Sequence, residues 1–448
     1  MCRFFSTFAP RKKKLRKKMK KAIIAIVALI FCGSATAQLK PRPDAFPPVS
    51  ENDNTKAINM AETPAEMANW DRYPTYGTYV AMMQQWATDF PTLCRLDTIG
   101  NSYQGRLILS MEITANPSDT TLREFFYSST IHGDEVTGYV MMLRLIDTLL
   151  RGYGNNPQYT DLMNTTLICI NPLANPDGTY HSGDNSIRRA TRYNANNVDL
   201  NRNYPNPFAP AKATLQQENI YMIDYFDRHN FRLSANLHGG AEVMNYPWDS
   251  YTSLQNPHPD RVWWEDVCRR FVDTSRTYNA SHFNDTYSCG YTAGGDWYVI
   301  TGGRQDYVNY YYNCLELTME ISTNKTLSSD QLPTYWNFLQ HSFVNYIAEI
   351  HSLPGDTIPT PEPPDTIPDT NLTVRTINAS PIAVYPNPAT STLRLSAPTT
   401  AQIDIYDCQG RKRQTLPAGT TAVDVSAMPA GIYILRYNGR CTKFAVKR

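Results

Sequence analysis

The chain has 448 residues, 42% hydrophobic and 12% aromatic, which is long and apolar enough for more than one folded core. Its formal charge of +1 hides an asymmetry: ten Lys and Arg fall within residues 1–21, leaving 32 basic against 41 acidic residues beyond them, near −9. That acidic balance excludes nucleic acid as an expected partner.

In chain order, residues 1–37 read as a secretory signal peptide. The basic start is followed by an apolar run over 22–32 and by Ala35-Thr36-Ala37, a small-x-small cleavage site. The run is too short to span a bilayer comfortably. Residues 38–67 are polar and proline-containing, an expected extended lead-in. Between 68 and 352 the pattern alternates. Helical spacing marks 78–90, 136–150 and 335–351. Strand-like runs mark 107–113, 125–131, 166–171, 233–237 and 315–321. This alternation predicts an α/β domain with a mixed, mostly parallel central sheet flanked by helices. Ligands of such sheets bind beyond the carboxyl ends of the strands. Residues 353–372 gather Pro354, Pro359, Pro361, Pro363, Pro364 and Pro368 into a stiff linker. Residues 373–448 carry short alternating runs with Gly and Pro punctuation, the pattern of a small all-β sandwich. Seven cysteines follow the signal peptide, so at least one thiol is free. Export permits disulfides, and Cys289 with Cys314 and Cys408 with Cys441 are the candidate pairs.

The residues able to carry chemistry sit at the expected strand ends. His132 and Glu135 flank a strand-to-helix junction, the glutamate in the first helical turn, so both side chains can converge on one cation. Zinc suits imidazole nitrogen and carboxylate oxygen, and a catalytic zinc site takes three protein ligands. His238, after an apolar strand and before two glycines, is the candidate third ligand. The loop around Arg192, Asp199, Asn201 and Arg202 concentrates fixed donors. Arg202 offers a planar fork for a carboxylate, and Asn201 adds an amide. Asp199 suits the non-liganding nitrogen of a metal-bound histidine.

His132-x-x-Glu135, Asn-Pro-Asp177-Gly, Val-Asp199-Leu-Asn201-Arg202-Asn, Asn-Leu-His238-Gly-Gly and Leu-Thr-Met-Glu320 follow one another in this order. Together they resemble the zinc metallocarboxypeptidases, and most closely the branch with carboxypeptidases N, E and D, over residues 68–352. The resemblance implies one Zn2+ per catalytic domain, held by His132, Glu135 and His238, with Glu320 as the catalytic glutamate rather than Glu316. It implies that Asn201, Arg202 and Tyr298 bind the substrate's terminal carboxylate. Arg192 would stabilise the oxyanion, with Arg189 a rival for that role. In that branch, residues matching Asp249 and Gln305 contact a basic C-terminal side chain, so removal of single C-terminal Arg or Lys from peptides or proteins is expected. A zinc peptidase acting on cell-wall peptides is the alternative, and a catalytically silent surface binding protein a third reading. The chain departs from the branch in Asp134 within the first motif, in Ala241-Glu242, and in lacking the small β-sandwich that follows the catalytic domain there. The tail, with Val384-Tyr-Pro-Asn-Pro388 and Gly431-Ile-Tyr-Ile-Leu435, resembles the C-terminal sorting domain of the type IX secretion system. It implies contact with that machinery and a secreted or surface-attached product exported through the periplasm and outer membrane. A carbohydrate-binding or adhesive module is the alternative for the tail.

Overall fold

The computed structural model describes residues 56–208, 214–354, and 384–447 apart from 386–388, 396–398, 400–401, 408–410 and 438–439. The signal peptide expected over 1–37, most of the lead-in, the linker beyond Pro354 and Cys408 of one candidate disulfide lie outside them.

The described part of the lead-in packs rather than trails. Strand β1 (Met60–Ala61) pairs in parallel with β2 (Tyr73–Pro74), and Ala61 and Met67 are buried in the main core. Eight further strands build the central sheet: β3 (Cys94–Asn101), β4 (Leu107–Ile113), β5 (Arg123–Ser129), β6 (Thr166–Asn171), β7 (Phe231–His238), β8 (Ala241–Tyr246), β9 (Tyr291–Ala293) and β10 (Leu315–Ser322). Their order is β3-β4-β6-β5-β7-β10-β8-β9. The middle four, β6, β5, β7 and β10, run parallel; β3 and β4 are antiparallel on one side and β8 on the other. The expected mixed, mostly parallel sheet is therefore present at the centre.

Helices α1 (Tyr76–Asp89), α2 (Thr137–Gly152), α3 (Gln217–Arg228), α4 (Arg261–Arg276), α5 (Arg304–Tyr312) and α6 (Leu332–Ala348) cover the sheet, and a nine-residue helix, Pro157–Thr165, leads into β6. Thr75 caps α1 by accepting from the Thr78 amide. Phe125 and Tyr127 of β5 face the core shared with α1, α2, α4 and α6, whereas Phe126 faces the core shared with α3 and α5. A strand buried on both faces needs such a continuous apolar run. Among the described residues no helix is long and apolar enough to cross a membrane.

One expectation fails. Cys289 and Cys314 are both free, Cys289 exposed and Cys314 buried. Cys289 precedes β9 and Cys314 precedes β10; β8 lies between these strands and runs parallel to β9 but antiparallel to β10. The two thiols therefore start from opposite ends of the sheet, too far apart for a bridge that needs Cα atoms within about 7 Å.

The C-terminal module has its own core. Strands β11 (Val384–Tyr385), β12 (Thr392–Leu395), β13 (Ile403–Asp407), β14 (Lys412–Leu416), β15 (Ala422–Asp424), β16 (Gly431–Tyr437) and β17 (Arg440–Val446) form two antiparallel sheets, β11-β12-β15 and β14-β13-β16-β17. Leu393, Ile403, Ile405, Val423, Leu435 and Phe444 are buried between them.

Candidate active site

Three of the parallel strands end at one place. After β5, Thr130 turns the chain with φ +64°, a left-handed backbone that costs a β-branched residue about 1–3 kcal/mol. The turn brings His132 and Glu135 over the sheet's edge, where they meet His238, the last residue of β7. All three are buried. The loop fits only with glycine at 133, because a Cβ there would stand 2.3 Å from the Gly178 carbonyl carbon.

His132 Nδ1, His238 Nδ1 and Glu135 Oε2 lie 2.8–3.0 Å from one another. Bonds of about 2.0–2.1 Å to a tetrahedral zinc put ligand atoms ~3.3 Å apart, so the triangle is close to that of a zinc site. Protonation agrees with this. Burial pushes His238 down to about 4, so the imidazole is neutral at pH 7. Burial works against an ionised Glu135, but His132, Lys325 and His238 hold its carboxyl well below the usual range. The outer nitrogens are also engaged. His132 Nε2 lies 3.2 Å from Asp199 Oδ1, the contact expected of Asp199. His238 Nε2 lies 2.8 Å from the Asn236 amide, whose Oδ1 has no other partner. Exchanging the amide's O and N gives the Nε2 proton its acceptor. Donor types, spacing and outer contacts thus fit zinc.

Arg192 and Arg189 part company. Arg192 is buried, its Nε 2.8 Å from Asp199 Oδ2 and its NH1 3.1 Å from His132 Nδ1. Arg189 is exposed. Despite burial, which opposes Asp199's charge, His132, Arg192 and Arg202 hold the Asp199 carboxyl far below its ordinary value. Asp199 also caps the short turn Leu200–Arg202 by accepting from the Asn201 amide at 2.9 Å. Asn201 Oδ1 accepts from Arg304 N at 2.9 Å, which leaves its Nδ2 as the donor side. Arg202 is half-buried beside it, NH1 on the Asn201 carbonyl. Tyr298 is half-buried after the turn Gly294–Trp297 and lies within electrostatic reach of Arg192.

Glu320 is buried on β10, in register with His238 on β7. Paired residues of neighbouring strands point to the same side, so the two meet at the strand ends. Glu316 is elsewhere, fully buried in an ion pair with Arg304 Nε at 2.8 Å.

Asp249 and Gln305 are also brought together: Gln305 Nε2 donates to Asp249 Oδ1 at 2.9 Å. Burial and the nearby Asp306 push the Asp249 carboxyl well above its ordinary value, with Arg202 pulling the other way. Gly294 sits so close that a Cβ there would stand 1.9 Å from Asp249 Oδ1.

Sequence reasoning missed two partners. Asp306 accepts from the Asp249 and Ser250 amides at 2.8 and 2.9 Å, fixing the loop that carries Asp249. Lys325 lies 2.9 Å from Asp134 and 3.2 Å from Glu135, so Asp134 belongs to a partly buried charge pair. An acid at 134 in need of a cation was the only signal for it.

Residues 79–341 match the zinc carboxypeptidase family, and residues 383–447 match the secretion system C-terminal sorting domain. Carboxypeptidase D of Mus musculus is 33% identical over 281 residues, 60% of this chain and 20% of that protein. Carboxypeptidase M of the same species is 32% identical over 297 residues, 60% of this chain and 64% of that one. The chain therefore spans only about a fifth of the length of the first of these relatives. The crystal structure of carboxypeptidase A from Helicoverpa armigera shares the fold, with a TM-score of 0.55 at 20% identity over 64% of this chain and 76% of that one. With its family match covering more than half of its length, and with a donor set that fits Zn2+, the chain belongs to the zinc carboxypeptidase family.

Proposed function

We propose that the protein is an exported carboxypeptidase that removes single C-terminal residues, preferring Arg and Lys. His132, Glu135 and His238 would hold Zn2+, which when bound would supply Lewis-acid polarisation of the scissile carbonyl and acidify water. Glu320 accepts the water's proton and returns it to the leaving amine. Arg192, kept charged and aimed by Asp199, donates to the developing oxyanion. Arg202, Asn201 Nδ2 and Tyr298 hold the substrate's free carboxylate, which an internal peptide bond does not offer. Asp249 and Gln305 take the side chain. A buried carboxylate whose charge lacks a full partner favours a cationic group and disfavours an apolar one.

What supports the specificity is one observation: a buried Asp249 bonded to Gln305 and within electrostatic reach of Arg202 and Glu320. The basic leader and the matched sorting domain support export and a secreted or surface-attached product. The test is mass spectrometry of peptides differing only in their last residue, Arg, Lys, Leu, Phe or Glu, with and without a zinc chelator. Chelator-sensitive loss of Arg and Lys alone is expected. Loss of apolar ends would discard the Asp249 pocket. Intact peptides with zinc-loaded protein, alongside trimming of cell-wall peptides, would replace the substrate class.

A further inference from the structure

A second group of ligating side chains lies away from the cleft. Asp97 on β3, Glu112 on β4 and His229 at the end of α3 bring one ligand atom each within 4.8 Å of one another. Strand β7, eight residues at about 3.3 Å each, separates His229 from His238 by roughly 25 Å.

The imidazole is held in one tautomer. His229 Nδ1 lies 2.7 Å from Glu124 Oε2, which also accepts from Asn230 N at 3.0 Å. With its proton on Nδ1, the ring turns the lone pair of Nε2 toward Glu112. Ring stacking on Phe231 at 4.5 Å and contact with Tyr225 fix its plane. Glu112 is only 6% exposed. Its Oε2 is taken by Arg95, but its Oε1 is buried without a hydrogen-bond partner. His229 Nε2 is 3.7 Å from it, too far for a hydrogen bond. Asp97 receives Arg228 at 2.9 Å. Arg95 is largely in solvent and Arg228 about half so, and they approach from the rim of the group, at Glu112 Oε2 and Asp97 Oδ2. A buried carboxylate oxygen with no donor is costly unless a cation meets it.

We propose that Asp97, Glu112 and His229 form a second divalent-metal site, with one imidazole nitrogen and two carboxylate oxygens, a set suited to zinc. Glu124 orients the histidine as carboxylates do for metal-bound imidazoles. The ion would tie β3 and β4 to the α3–β7 junction. Cys94, Cys169, Cys268, Cys289 and Cys314 are all free, so no disulfide among these cysteines provides such a tie.

The test uses the mature full chain, stripped with chelator and reloaded with Zn2+ or Co2+, with bound metal counted by mass spectrometry and stability followed by melting. Two equivalents are expected. Asp97→Asn and Glu112→Gln, which keep side-chain shape, should each retain one and keep full peptidase activity. His132→Ala should lose the other equivalent together with activity. Glu124→Gln should weaken the second equivalent about 10–100-fold and leave the first unchanged. A single equivalent in the wild type, abolished by His132→Ala, would overturn the site. So would two equivalents that Asp97→Asn and Glu112→Gln both leave intact. Peptidase failure with both equivalents bound would count against the catalytic reading alone.

Discussion

Burying Asp249 without a full counter-charge works against the free protein and in favour of a cationic substrate. Its native carboxyl is raised above the ordinary range, first by burial and then by Asp306, so the folded state binds that proton more tightly than the unfolded chain does. Stability must then fall as pH rises from about 4, the unfolded value, up through the folded value. Asp249→Asn removes that decline. Its melting temperature should exceed that of the wild type at pH 8, and the gap should shrink toward pH 4; thermal melts across this range check it. The same substitution should lower kcat/KM for Arg-ending peptides by about 10²–10³-fold, as expected for removing one partner of a buried charge pair, and change Leu-ending peptides little. Asp249 was singled out in the sequence only through the family resemblance. Asp306 was not, because it acts by accepting from backbone amides more than fifty positions away, a task any carboxylate can perform and no spacing announces.

At the scale of elements, the zinc loop depends on an interlock. Gly133 lies on the backbone of Gly178, within the turn Pro176–Thr179, and Thr179 Oγ1 donates to the Gly133 carbonyl at 2.9 Å. A methyl group at 133 meets backbone, which cannot swing aside as a side chain would. Gly133→Ala should therefore cost about 1–3 kcal/mol, the range for overpacking, and pull His132 away from Glu135. Melting temperature and zinc equivalents should both drop, whereas Gly77→Ala, in the first turn of α1 with open space around it, should leave both unchanged. The parallel strands that carry these loops were readable as short apolar runs, and α1, α2 and α6 as helical spacing. Strands β3, β8 and β9 were not read. Every residue of β8 is buried, so it lacks the alternation that marks a strand with one wet face, and β9 is only three residues long. Helix α4, strongly amphipathic in its burial, lies in a segment so rich in charge that its apolar stripe was overlooked.

For the molecule as a whole, the decisive feature among the described residues is that the C-terminal module has a buried cluster of its own. The buried cluster of the C-terminal module runs from Ala389 to Val446, and the clusters of the catalytic region end at Leu353. Each part therefore satisfies its own apolar surface, which is the condition for one to be removed without unfolding the other. The match of residues 383–447 to a sorting domain gives the smaller part a role in export rather than in chemistry. Deleting residues 373–448 should thus separate location from activity. Cells making the shortened chain should retain chelator-sensitive carboxypeptidase activity in the lysate, at a specific activity within about two-fold of the full chain, and lose it from the surface and medium. Fractionation followed by assay on an Arg-ending peptide reads both quantities at once. Activity missing from every fraction would mean that the catalytic region needs the module to fold, against the module's separate buried cluster. Activity still present outside the cell would mean that the basic leader suffices for full export and that the module serves another purpose, such as adhesion.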